Sequence, residues 1–235
     1  TVLTCMMLMA HGLPLECKIS DMAGAKLWTQ IVFRAVGALM FGIIFNALCK
    51  YMNWLEGPAT ILFKAKEEQL SWGQWALGEV QNLFFIFVII LSLMALMRIL
   101  TWIKVTKVLE VIFAPIMRIM GIGKSASTIT VIGMILGLSY GGGLIIHEVR
   151  SGNVGARDAF YSLSFMGVTH SLIEDTLLMV LLGGHLSGLL GARVVFSILL
   201  VGLLAKLANR LSDAKFNKLL ISGAVANLQS QKTTD

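Results

Sequence analysis

Apolar residues run through this chain in intervals bounded by charge, and the intervals have membrane length. Between Lys26 and Lys50 the only charge is Arg34, and from Glu79 to Arg98 there is none. Each interval is near the roughly 20 residues with which a helix crosses the hydrocarbon core. Trp28 and Trp54 bracket the first, Trp75 and Trp102 the second. At 1.5 Å per residue each pair lies roughly 40 Å apart, the bilayer with its interfaces. Spanning helices are expected at about 29–52 and 77–103. Residues 55–74 mix charge with apolar positions and carry Gly57-Pro58, which predicts a loop and a short surface helix. From Lys104 to Met120 the charges Lys104, Lys107, Glu110 and Arg118 gather on one side, with Val105, Val108, Leu109, Ile112 and Ile116 on the other. That pattern predicts an interfacial amphipathic helix bent at Pro115, or one packed on other protein.

The remaining apolar stretches are interrupted. Between Lys124 and Glu148 the charge-free run contains Ser139-Tyr140-Gly141-Gly142-Gly143. Consecutive glycines cost about 1 kcal/mol each inside a helix, so two short helices around an unwound stretch are expected there. Unwound backbone at membrane depth must be buried in protein or line a wet cavity, which makes this segment a candidate substrate site; the structural alternative is close helix packing through small residues. Residues 158–170 form another short apolar element. Gly183-Gly184 and the stretch from Gly188 to Gly191 then separate a half-helix from a last spanning helix at about 191–209, and the tail from Leu211 is polar.

An offset of 159 places His11 on His170, Glu16 on Asp175, Gly24 on Gly183 and Arg34 on Arg193, with seven identities over 11–48. The polar matches weigh most, because these types are rare in membrane segments and recur in register. Transporters are often built from such repeats, with the site at the repeat interface formed by discontinuous helices. If the repeat is real, the natural protein is expected to extend upstream of Thr1; no signal peptide is read at the start.

Composition agrees with a lipid solvent. Of 235 residues 57% are hydrophobic and 14% charged, against about a quarter charged in soluble domains. The net charge of +6 is spread between apolar segments, so the expected partners are lipid headgroups and not nucleic acid. Cys5, Cys17 and Cys49 show no paired spacing and read as small hydrophobes.

Ionisable groups inside membrane segments are functional hypotheses by default. His170 and Glu174 share a face if the helix has begun by His170, while Asp175 points about 100° away. His11 and Glu16 form the matching group, and His147 and Glu148 flank the glycines. The acids either line a substrate path or pair with Arg34 and Arg193 to hold helices together; pairing with Glu16, Glu174 or Asp175 is expected. His185 reads as a loop or interface histidine. No His-x-x-x-His or Cys-x-x-Cys is present, so no metal ligand or cofactor is assigned. Ser139 and Ser164 lack a nucleophile elbow, and no enzymatic activity is expected.

The strings GLSYGGGLIIHEVRSG and DAFYSLSFMGVTHSLIEDTLLMVLLGGHLSGLLGAR resemble the nucleoside recognition, or Gate, domain of bacterial inner-membrane proteins, best over about 124–208. The resemblance implies an all-α polytopic protein of the bacterial inner membrane with two Gate-like repeats and re-entrant half-helices. Residues 1–54 would end the first repeat, 55–123 would link, 124–210 would be the second repeat and 211–235 a polar tail. It also implies movement of a small polar, nucleoside-like solute. Its binding site would use His11, Glu16, Ser139, Tyr140, Gly141, Gly142, Gly143, His170, Glu174 and Asp175, with a proton or sodium as coupling ion. The alternatives are a non-transporting scaffold, with a partner or second copy, and a divalent-cation permease. The last requires imidazole and carboxylate groups to converge.

Overall fold

The computed structural model describes residues 1–55, 57–58 and 71–222, with the Ser139 side chain excepted. The surface helix expected within 55–74 lies largely outside them. Among the described residues there are eleven α-helices, one π-helical turn and no strand beyond a single bridge between Ala25 and Ile221. The protein is an all-α polytopic membrane protein. Four segments are long and apolar enough to cross a membrane: Val2–Met22, Leu27–Tyr51, Trp72–Trp102 and Ser187–Ala208.

The first of these is broken. Helices α1 (Val2–Ala10) and α2 (Leu13–Met22) are separated by His11 and Gly12. Both pack on α3 (Leu27–Tyr51), with Met6 against Gly42 and Glu16 at Arg34, so the broken pair runs antiparallel to it. Helix α4 (Trp72–Trp102) opens on a capping box between Ser71 and Gln74, and touches the rest chiefly through α5 (Val105–Ile119). Its Leu83, Phe84, Phe85 and Phe87 face outward, as an apolar solvent permits. Pro115 lies inside α5, which continues through it as one helix. Phe113 and Met117 turn inward, and Glu110 accepts a hydrogen bond from Thr128 of α6.

Helices α6 (Lys124–Leu136) and α7 (Leu138–Ser151) are a second broken pair, and α8 (Ala156–Thr169) and α9 (Glu174–Leu181) a third. The side chains of α8 are buried from Ala159 to Thr169, which makes it the core of the molecule. The π-helical turn Ser187–Ala192 leads directly into α10 (Arg193–Ala208), and α11 (Asp213–Leu220) closes the described chain.

The expected break at Gly141–Gly143 is displaced. The chain interrupts at Gly137 (φ 94°, ψ 161°), a conformation nearly confined to glycine, and residues 141–143 are helical within α7. A Cβ on Gly141 would overlap Gly133 and Met166, and one on Gly142 would overlap Ile19. These glycines let α7 approach α6 and α2 closely, and that packing offsets their helix penalty.

The 159-residue offset recurs in the backbone. Helices α1 and α8 end at equivalent positions, Ala10 and Thr169, and α2 and α9 end at Met22 and Leu181. His11 and His170 are both extended (ψ 164° and 160°), Gly12 and Ser171 are both left-handed (φ 60° and 46°), and Gly24 and Gly183 both have positive φ.

Candidate functional site

The string His11-Gly12-Leu13-Pro14 explains the first break. Gly12 takes a left-handed conformation at little cost. Pro14, lacking an N–H, belongs in the first turn of the following helix. At the equivalent break Ser171 adopts positive φ without that freedom, and neighbouring backbone supports it: the Leu172 amide donates to the Met134 carbonyl of α6 at 2.7 Å.

A half-helix ending inside a membrane leaves carbonyls without partners and a negative dipole end. One arginine per repeat answers this. Arg34 Nη2 donates to the His11 carbonyl at 2.9 Å, and Arg193 Nη2 to the His170 carbonyl at 3.0 Å, both 23 residues away. Arg34 also donates through Nε to the Met9 carbonyl at 3.0 Å and through Nη1 to Glu16 Oε2 at 2.5 Å. Arg193, fully buried, pairs with no acid; its Nε and Nη1 have no hydrogen-bond partner among the described residues. The ion pair expected of it is absent because Asp175, the counterpart of Glu16, turns toward the opposite repeat.

The two breaks face each other. The imidazoles of His11 and His170 lie with centroids 4.8 Å apart and Nε2 atoms 3.3 Å apart. Each then meets the acid of the other repeat: His170 Nε2 is 3.1 Å from Glu16 Oε1, and His11 Nε2 is 3.4 Å from Asp175 Oδ2. Glu16 and Asp175 sit in the first turns of α2 and α9, where the positive helix end favours a carboxylate. The centre is deep on one side and open on the other, with side-chain exposures of 2% for His170, 13% for Glu16, 21% for Asp175 and 38% for His11. The His11 edge borders an apolar groove with Leu3, Met7, Ala10, Ala35 and Leu39.

Other candidates stand apart. His170 is extended and α9 begins only at Glu174, so these two do not share a helix face. Glu174 makes no hydrogen bond or ion pair among the described residues. Tyr140 is exposed, Gly143 has open space beside it, and the Ser139 side chain lies outside the described set. Glu148 accepts from Asn153 at 2.7 Å, His147 is exposed, and His185 lies 2.7 Å from Ser187 at a turn. Two participants were not singled out from the sequence. One is Gly137, where a Cβ would lie 3.2 Å from Ser171 Oγ beside the second break; the other is the set of carbonyls at Met7, Met9 and Gly167. The glycine opening GLSYGGG was the available signal for the first; backbone acceptors leave none.

The chain matches no protein-family model and no solved structure. It is similar to the uncharacterized membrane protein YvoD of Bacillus subtilis (strain 168), 34% identical over 87 residues. The match spans 37% of this chain and 28% of that protein. A membrane location therefore rests on this relative together with the four apolar spans.

Proposed function

We propose that this chain is part of a permease for a small polar solute or ion, with its site where the broken helices of two repeats meet. The observation that carries the proposal is the reciprocal pairing of His11 with Asp175 and of His170 with Glu16 across those breaks. Four ionisable groups inside a membrane protein, drawn from equivalent positions and left partly open, are the arrangement expected of a site that binds and releases a charged or polar species. The resemblance of 124–208 to Gate domains of the bacterial inner membrane supports the same reading, in which the broken pairs α6–α7 and α8–α9 would be re-entrant half-helices. The acids and imidazoles would handle a proton or sodium ion as well as a solute.

A scaffold role has one observation in its favour: α4 is almost wholly exposed along its span, a surface suited to a second copy or a partner helix. The readings separate in proteoliposomes. Rapid concentration jumps of nucleosides, small carboxylic acids and divalent cations should give a charge displacement for at least one class, and Asp175→Asn should abolish it. Silence across the panel from correctly folded protein would favour the scaffold.

A further inference from the structure

We infer that the centre formed by His11, Glu16, His170 and Asp175 is a binding site for a divalent first-row transition metal ion of the zinc type. The inference rests on the permease reading only in taking the ion as cargo; the binding site stands or falls on its own geometry.

The convergence of the His11 and His170 rings on Glu16 carries the inference. His11 Nδ1 lies 3.0 Å from the Met7 carbonyl and His170 Nδ1 lies 3.1 Å from the Gly167 carbonyl. A carbonyl can only accept, so each neutral ring holds its proton on Nδ1 and presents a bare lone pair at Nε2. Those two lone pairs face each other at 3.3 Å. Glu16 Oε1 and Asp175 Oδ2 stand around them, and both are acceptors as well. With both rings neutral, His11 Nε2, His170 Nε2 and Glu16 Oε1 converge as acceptors with Asp175 Oδ2 beside His11, and a bound cation would satisfy them together; a proton on either Nε2, donated to the facing carboxylate, is the occupant it would displace.

The spacing suits a small first-row cation. Ligands held about 2.0–2.1 Å from a tetrahedral ion are separated from one another by about 3.3 Å. Three separations here are close to that value, 3.1 Å (His170 to Glu16), 3.3 Å (His170 to His11) and 3.4 Å (His11 to Asp175), while His170 to Asp175 is 4.0 Å, so Asp175 stands at the edge of a three-residue set. His11, Glu16 and His170 each offer a ligand atom within 4.8 Å of the others. Two imidazoles and one carboxylate, with Asp175 or a water as fourth ligand, suit zinc and its first-row neighbours. The surroundings are those of ligands already oriented. Each histidine donates its remote N–H to a backbone carbonyl, and Glu16 is fixed through its other oxygen by Arg34. Arg34 and Arg193, both anchored on the histidine carbonyls, oppose any added cation. That suits an ion that must leave again more than one locked in place.

The full chain, purified in detergent and stripped with a chelator, should bind Co²⁺ saturably at one per chain. It should show the visible absorption of four-coordinate cobalt, lost on adding Zn²⁺. His11→Gln, at the exposed edge, and Asp175→Asn should each weaken Co²⁺ by more than the roughly 10- to 100-fold that outer-shell changes cost, with melting curves and elution profiles unchanged. His185→Gln should bind as the parent does. Absence of saturable binding, or binding unaffected by both His11→Gln and Asp175→Asn, would overturn the inference. Loading the same protein into vesicles and following radioactive zinc separates the two claims. Binding without uptake would leave the metal site standing and remove zinc as the permease's cargo. Uptake of another solute by protein that binds no metal would overturn the metal site and leave the permease reading standing.

Discussion

Arg34 and Arg193 perform one shared task and differ in everything else. Both cap the carbonyl of a histidine at a helix break. Only Arg34 also holds an acid, and removing one partner of a buried pair strands the other charge. Arg34→Leu should therefore cost about 3–5 kcal/mol, and adding Glu16→Gln should recover part of it. Arg193→Leu strands no carboxylate and should cost no more than about 2 kcal/mol. Denaturation of the detergent-purified variants measures all three; equal losses for the two arginines would contradict this asymmetry. The sequence exposed these residues because charge is rare in apolar segments. It did not show which acid each histidine would meet. The i, i+4 spacing of His170 and Glu174 suggested a shared face, but His170 is extended, and an extended residue shifts the register by which later side chains point. That shift brings Asp175 to the centre instead of Glu174.

The long helices α3 and α4 were legible as elements from charge-free length and bracketing tryptophans. The broken helices were legible only as breaks somewhere near glycines. A glycine inside a helix is penalised by about 1 kcal/mol, yet it permits backbone contact worth more where a neighbouring helix also presents glycine. Gly141 meets Gly133 in this way, so three consecutive glycines stay helical, while the single Gly137 carries the turn. Gly141→Ala should destabilise the protein by about 1–3 kcal/mol through overlap with Gly133, whereas Gly143→Ala, with open space around it, should be neutral or gain up to about 1 kcal/mol. Gly137→Ala should cost about 1–3 kcal/mol because its backbone region is nearly closed to other residues. Thermal melts of the three variants provide the check, and a tolerant Gly137 beside an intolerant Gly143 would invert the assignment.

At the scale of the molecule, two repeats cross at one polar centre and a C-terminal strap closes one end. The strap is built from the Ala25–Ile221 bridge, the Lys26 amide donating to the Leu220 carbonyl at 2.8 Å, and Phe216 buried beneath the Arg157 guanidinium. Arg157 also bonds Asp213 at 2.8 Å, which ties α8 to α11 outside the spans. Phe216→Ala should cost about 3–5 kcal/mol and raise proteolysis after Leu211, read by limited digestion. An unchanged digestion pattern would show that the strap does not close that end. The sequence predicted a polar tail; it gave no sign that the tail returns to the turn between α2 and α3. That contact spans nearly the whole chain, and no local pattern encodes it. The crossing of the repeats was more accessible, since equal spacing of rare polar residues in both halves has few explanations. Its most direct test is X-ray absorption at the zinc edge of the zinc-loaded protein. The account predicts a single shell of four nitrogen and oxygen neighbours at about 2.0–2.1 Å, with the outer-ring scattering of two imidazoles. A sulfur shell near 2.3 Å, or a spectrum without imidazole scattering, would place the ion elsewhere and contradict the meeting of His11 and His170 on one cation.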